Sequence, residues 1–282
     1  MGPSDASVLA TNLTDRFGLP LSARYDHTSD GDVIELKPAE FYPIATFLIR
    51  VRFGWRSLSA EMIPGSFARD FVREMGLADE GGREGFAAIA HLVNADRGRI
   101  QVVVNGQQVD PEEPDTWPSY WDQVSITLNS PPIPPADSQT GLIRAAEHWA
   151  GRLLGMVLAL AAVPEEPGGG VEPEVTGLPE GARVRIEVNR YERSLKNRAI
   201  CIEVNGCHCA ICGFDFGKVY GELGEGFVHV HHLTPVSRLT PGYVVSPVRD
   251  LIPVCANCHA MLHRRDPPLL PESLRACLTQ GE

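Results

Sequence analysis

Two cysteine pairs, Cys209 with Cys212 and Cys255 with Cys258, constrain this chain more than any other feature. A Cys-x-x-Cys turn lets both thiolates grip one ion, and two such turns supply the closed sulfur set of a structural zinc site. The ion would tie together segments more than forty residues apart and contribute folding energy to whatever lies between them. All seven cysteines fall at or after Cys201, and Cys201, Cys207 and Cys277 stay outside the set. Met1 to Asp5 offers neither the basic nor the apolar part of a secretion signal, so the chain is expected in the cytoplasm, where cysteine pairs ligate metals rather than form disulfides.

Six of the nine histidines crowd into the same region. The run Gly226 to Pro235 reads as a strand, and alternation along it puts His229 and His231 on one face and His232 on the other. One of the paired histidines is thereby free to hold a metal while its neighbour reaches a different target. After the second cysteine pair, His259 and His263 stand four residues apart, on one face of a helix, where both can converge on one ion. A single histidine is ordinarily a satisfied structural residue. Four framed by zinc cysteines are not.

From about Tyr191 to Arg265 the sequence resembles the HNH endonuclease family, which has a ββα-metal fold. The resemblance rests on Cys-Ala-Ile-Cys-Gly-Phe-Asp-Phe, Val-His-His-Leu-Thr-Pro and Asp-Leu-Ile-Pro-Val-Cys-Ala-Asn-Cys-His-Ala-Met-Leu-His. It implies a β-hairpin and a helix around one divalent cation, with the zinc knuckle as scaffold. Position by position it makes His231 a metal ligand, His232 the general base and His259 a ligand from the helix, with His263 a further ligand or phosphate contact. The motif's middle asparagine falls on Asp250, whose carboxylate could ligate the cation or hold the hairpin loop through backbone hydrogen bonds; Asn257 suits the zinc-loop turn better. The implied chemistry is in-line hydrolysis of a phosphodiester by water, with Mg²⁺, Mn²⁺ or another divalent transition metal such as Co²⁺ or Ni²⁺.

The rest of the chain reads as apparatus around that site. The overall fold class is α+β, with a front α+β domain at 1–163, a linker at 164–181 rich in Pro, Gly and Glu, and the nuclease domain at 182–282. The formal charge of −11 is concentrated in the front: residues 1–181 carry 13 Lys/Arg against 26 Asp/Glu, and residues 182–282 carry 12 against 10. Arg190, Arg193, Lys196 and Arg198, on a helix expected over 190–204, form the most basic segment and suit phosphate contact, although a solvated helix face would look the same.

In the front half, residues 1–40 are weakly periodic, with a short strand at 33–36. A strand at 45–53 puts Arg50 and Arg52 on one face, for phosphate or merely for water. Helices are expected over 65–75, with Phe67, Phe71, Val72 and Met75 on one side and Gly76 as cap, and over 84–93. Strands at 100–104 and 124–128 follow, the first ending in an Asn105-Gly106 hairpin turn. Trp117, Tyr120 and Trp121 either pack a small domain or line a pocket for an extruded base. A proline-rich stop at 130–135 precedes a helix over 141–163, whose apolar run is too short to span a bilayer.

Sequence discrimination is weak in a nuclease that reads backbone and shape. A front domain tethered to such a module resembles the layout of restriction enzymes directed to modified double-stranded DNA. The acidity and the apolar helix at 141–163 equally permit a protein partner or a homodimer. The alternative class is a zinc-containing DNA-binding or interaction module without nuclease activity.

Overall fold

The computed structural model describes residues 1–39, 46–133, 139–162, 194–234, 245–265 and 267–279. The weakly periodic first forty residues open with helix α1 (Pro3–Phe17) and continue into strands β1 (Leu21–Thr28) and β2 (Gly31–Pro38), the second of which contains the strand expected at 33–36. Ala6, Leu9, Ala10, Leu13 and Phe17 give α1 a buried stripe at three- and four-residue spacing. Pro3 sits in its first turn and Gly18, at φ 75°, ends it.

Strands β3 (Phe47–Phe53) and β4 (Leu58–Pro64), helices α2 (Arg69–Gly76) and α3 (Glu80–Ala95), strands β5 (Arg99–Val104), β6 (Gln107–Val109) and β7 (Val124–Asn129), and helix α4 (Gln139–Leu160) follow. The seven strands make one antiparallel sheet in the order β1-β2-β3-β4-β7-β5-β6. Alternate residues such as Ile34, Ile49, Val51, Ala60, Met62 and Ile126 share one core with the apolar sides of α1, α3 and α4. The hairpin between β5 and β6 turns at Asn105 and Gly106, both at positive φ (51° and 80°), as a two-residue turn of this type requires.

Arg50 and Arg52 lie on the other, wet face. Arg50 donates twice to Glu35 (2.9 and 2.7 Å), and Arg52 donates to Glu61 (2.8 Å). Strand register sets Arg24, Glu35, Arg50 and Glu61 side by side, a ladder of alternating charge that stabilises the sheet. Of the two roles the sequence left open, service on the wet face of the sheet is the one these bonds supply.

Helix α2 begins at Arg69, and Phe67, expected on its apolar face, is 97% exposed in the turn before it. Gly76 is the last helical residue, not a left-handed cap; its value is space, because a Cβ there would stand 2.7 Å from the Trp121 ring.

Beyond α4, the described part of the helix expected over 190–204 is α5 (Leu195–Asn205), where the Ser194 hydroxyl accepts from the Asn197 N–H. Ala199 and Ile200 belong to the core of the front sheet, while Cys201 packs with Val230 and Leu251. By packing, α5 joins the front half to the metal-bearing segment. Its Glu203 is buried between Arg16 of α1 and Arg152 of α4, which also donates to the Glu203 carbonyl (2.6 Å). Removing both arginines would strand a buried charge, a loss of about 3–5 kcal/mol.

The remaining elements are α6 (Phe216–Tyr220), β8 (His229–His232), β9 (Leu251–Val254), α7 (Ala256–Leu262) and α8 (Pro271–Thr279); β8 and β9 pair antiparallel. The linker at 164–181, the strand expected at 184–188 and the first part of the basic helix lie outside the described residues. No helix among the described residues is long and apolar enough to cross a membrane.

Candidate metal centres

The first cysteine pair sits on a tight turn: the Cys209 N–H donates to the Phe214 carbonyl (2.8 Å), the Gly213 N–H donates back to the Cys209 carbonyl (2.9 Å), and Gly213 adopts φ 73°. The second pair starts a helix. Cys255 is the N-cap of α7, and its sulfur accepts from the Cys258 N–H (3.4 Å). The two knuckles meet because the Ala210 N–H donates to the Pro253 carbonyl (2.9 Å) at the end of β9. Arg275 of α8 closes over the Ala210 carbonyl (2.5 Å), and Leu274 packs beneath.

The sulfurs of Cys209, Cys212, Cys255 and Cys258 all lie within 4.8 Å of one another. Cys212 Sγ is 3.7 Å from Cys255 Sγ, and a tetrahedral zinc with its usual sulfur bond length sets an edge of about 3.8 Å. Burial, followed by the neighbouring sulfurs, raises the Cys258 thiol. Burial opposes the Cys209 thiolate too, but backbone N–H groups of Cys212, Cys255 and Ile211 outweigh it and bring that thiol down to about 7. Four thiolates this close repel one another, so a dication is what lets all four ionise together. These four cysteines could bind a structural zinc.

The second group is built from histidines. His231, at 3% exposure, faces inward from β8, while His259 and His263 lie one turn apart, the latter closing the C-terminus of α7. One ring nitrogen from each lies within 4.8 Å of the other two. Ring centroids are 5.4 Å apart for His231 and His259, 4.9 Å for His231 and His263, and 4.9 Å for His259 and His263. His229 flanks the group, 5.2 Å from His259, as expected for the strand face it shares with His231. His232, 6% exposed, is the adjacent residue on β8, paired with Leu251. These three residues could hold a metal ion through one ring nitrogen each. Cys258 and His259 are consecutive residues of α7, so the helix turn that presents a sulfur to one group presents an imidazole to the other.

Asp250 is not a member of the histidine group. Its carboxylate Oδ2 accepts from the Ser246 N–H (2.8 Å), and its own N–H donates to the Ser246 carbonyl (2.8 Å). Its carbonyl takes the N–H of Leu233, the residue after His232 (2.8 Å). Of the two roles the sequence left open, loop holding is the one these contacts supply.

The described part of the basic helix is tied to the rest of the chain. Lys196 is ion-paired with Asp79, and Arg198 donates to the backbone carbonyls of Arg16 (3.1 Å), Val228 (2.6 Å) and Gly226 (3.4 Å). Both cations join parts of this chain to one another. Arg190 and Arg193 lie outside the described residues. Within the aromatic cluster the two indoles pack: Trp121 is 1% exposed, Trp117 sits edge-on to Phe86 with centroids 5.0 Å apart, and their indole N–H groups donate to the Pro118 and Asp110 carbonyls, while Tyr120 is 52% exposed.

An aromatic the sequence reading did not single out is among the most exposed. Trp55, at the turn between β3 and β4, is 95% exposed, with the Arg56 guanidinium 5.8 Å over its ring. It borders a cleft of about 680 Å³. The signal was a large aromatic in a Gly-Trp-Arg-Ser turn, where no core could reach it. No family model, curated protein or solved structure matches this chain.

Proposed function

We propose that this protein is a DNA endonuclease that hydrolyses phosphodiester bonds with one divalent cation and a histidine general base. The observation that carries the reading is the convergence of His231, His259 and His263 beside His232. An antiparallel pair followed by a helix, β8-β9-α7, is also the arrangement that the resemblance to HNH endonucleases implies. The cation, held by the three imidazoles, would supply neutralisation of charge on the phosphate and on the leaving oxygen. With three imidazoles and no carboxylate in the group among the described residues, Mn²⁺, Co²⁺ or Ni²⁺ suits it better than Mg²⁺.

The protein's own part is proton transfer and positioning. His232 takes the proton from the attacking water at a ring nitrogen, and water attacks phosphorus in line with the leaving oxygen. The paired backbone of β8 and β9 holds His232 beside His231 while presenting them to opposite sides.

The target is double-stranded DNA, and its selection is assigned to the front half, in the manner of enzymes directed to modified DNA. Among the described residues there, Trp55 is the side chain best suited to stack on a base, a contact worth about 1–3 kcal/mol.

His232→Ala should abolish cleavage of plasmid DNA in Mn²⁺ while leaving zinc content and the thermal transition unchanged. Unaltered cutting would refute the general-base role. Plasmids carrying methylcytosine, hydroxymethylcytosine, methyladenine, phosphorothioate or no modification, digested in parallel, separate a modification-directed enzyme from an indiscriminate one.

A further inference from the structure

The start of α3 is a poor helix sequence. Gly81, Gly82 and Gly85 fall in its first two turns, where each glycine costs about 1 kcal/mol relative to alanine. Each permits a close approach. A Cβ on Gly81 would stand 2.8 Å from the Val245 carbonyl oxygen and 3.2 Å from Pro247; one on Gly82 would overlap the Ala159 carbonyl at the end of α4; one on Gly85 would stand 2.5 Å from Ile200 of α5. The front half thus lies in direct backbone contact with residues 245–247, the segment that leads to Asp250 and β9.

Between those glycines stands Glu84. The Ser246 hydroxyl donates to its Oε2 (2.7 Å), and Arg249 Nε lies 3.1 Å from its Oε1. The arginine pair is mostly exposed and of small worth. The serine bond is charge-assisted and part-buried, which makes it the stronger link. From Ser246 the path continues through bonds already described: Ser246 N–H to Asp250 Oδ2, then Leu233 N–H to the Asp250 carbonyl, which fixes the end of the strand carrying His231 and His232.

We infer that Glu84 is a positioning residue of the histidine centre: through Ser246 and Asp250 it fixes the end of β8 that carries His231 and His232, so the front half supplies part of the support that the metal site needs. The inference rests on the reading of the histidines as a metal centre. Partners behind the direct ligands commonly alter metal affinity or activity by about 10- to 100-fold.

The test uses the full chain with its cysteine site filled by zinc, titrated with cobalt(II) chloride. Cobalt on imidazoles shows ligand-field absorption without the thiolate charge-transfer band, so the two sites are distinguishable. Glu84→Ala should weaken cobalt binding about tenfold, change its visible spectrum and lower kcat for DNA cleavage by a similar factor with KM unchanged. Glu84→Gln, which keeps an oxygen for the Ser246 hydroxyl, should recover most of each loss. A merely structural role would not produce that pattern at constant zinc content and Tm.

If Glu84→Ala lowers Tm, Ser246→Ala breaks the same link and should show the same cobalt effect. Wild-type cobalt affinity, spectrum and kcat in Glu84→Ala would overturn the inference, as would a wild-type chain that takes up no cobalt beyond its zinc. A wild-type chain that binds cobalt yet never cuts DNA would remove the nuclease reading, and the cobalt comparison would still decide the role of Glu84.

Discussion

Replacing Gly85 by alanine sets two effects of opposite sign against each other. In the second turn of α3, alanine is favoured over glycine by about 1 kcal/mol on helix propensity alone. A Cβ at that position, however, would stand 2.5 Å from Cδ1, 2.7 Å from Cγ1 and 2.8 Å from Cγ2 of Ile200. Ile200 is fully buried, and a β-branched side chain in a helix has one strongly preferred χ1, so it has nowhere to swing. The two helices must part instead. Overpacking of this kind costs about 1–3 kcal/mol, which leaves Gly85→Ala between neutral and about 2 kcal/mol less stable than wild type.

Gly151 of α4 is the control, because the nearest atoms to a Cβ there are Arg16 Nη1 at 3.3 Å and Leu13 Cδ2 at 3.6 Å. Gly151→Ala should therefore keep most of the propensity gain. Thermal unfolding of the zinc-loaded chain by circular dichroism separates the two, at about 2 °C per kcal/mol for a chain of this size. A double-mutant cycle isolates the clash. Ile200→Val, which removes Cδ1, should cost about 0.5–1.5 kcal/mol in the wild type and less, or nothing, beside Ala at position 85. Equal stability of Gly85→Ala and Gly151→Ala, or an Ile200→Val cost that is the same in both backgrounds, would show that the glycine is not there for space.

Cys258→Ser should lower zinc content from one ion per chain and, because α7 carries both groups, also reduce cobalt uptake by the histidines; retention of both measured by atomic absorption would refute the zinc assignment. Arg198→Met should lower stability by about 2 kcal/mol or more through lost bonds to three backbone carbonyls, while leaving the salt dependence of DNA binding unchanged. A drop of about one in the slope of log affinity against log salt would instead restore Arg198 as a phosphate contact.

The two metal groups were legible because their geometry is local. Cys-x-x-Cys turns, alternation in β8 and the four-residue spacing of His259 and His263 are backbone periodicities, and each places its side chains without reference to the rest of the fold. Where a role depended on a distant partner, spacing was silent. Nothing near Arg50 in the sequence announces Glu35, and nothing near Ser246 announces Glu84, 162 residues away. Helix α1 escaped for a different reason: alanines at 6 and 10 carry part of its apolar stripe, and Thr11, Asn12, Thr14 and Asp15 dilute the rest. The basic helix was ambiguous in sequence because lysine and arginine look alike whether they face phosphate or, like Lys196, a carboxylate of the same chain.

The histidine group draws its members from two elements that must be held independently. His259 and His263 ride on α7, whose first turn is fixed by Cys255 and Cys258 and, through the Ala210 to Pro253 bond, by the other knuckle. His231 rides on β8, whose far end is fixed by Asp250 and, through Ser246, by Glu84 of the front half. The cysteine group therefore sets one side of the histidine centre and the front half sets the other. A change that shifts α3 would reach His231 and His232 through three hydrogen bonds while α7, held by sulfur, stayed in place. That asymmetry gives the front half a physical route to the site whose target it is proposed to choose, and the route is a seam of glycines and one carboxylate rather than a flexible tether.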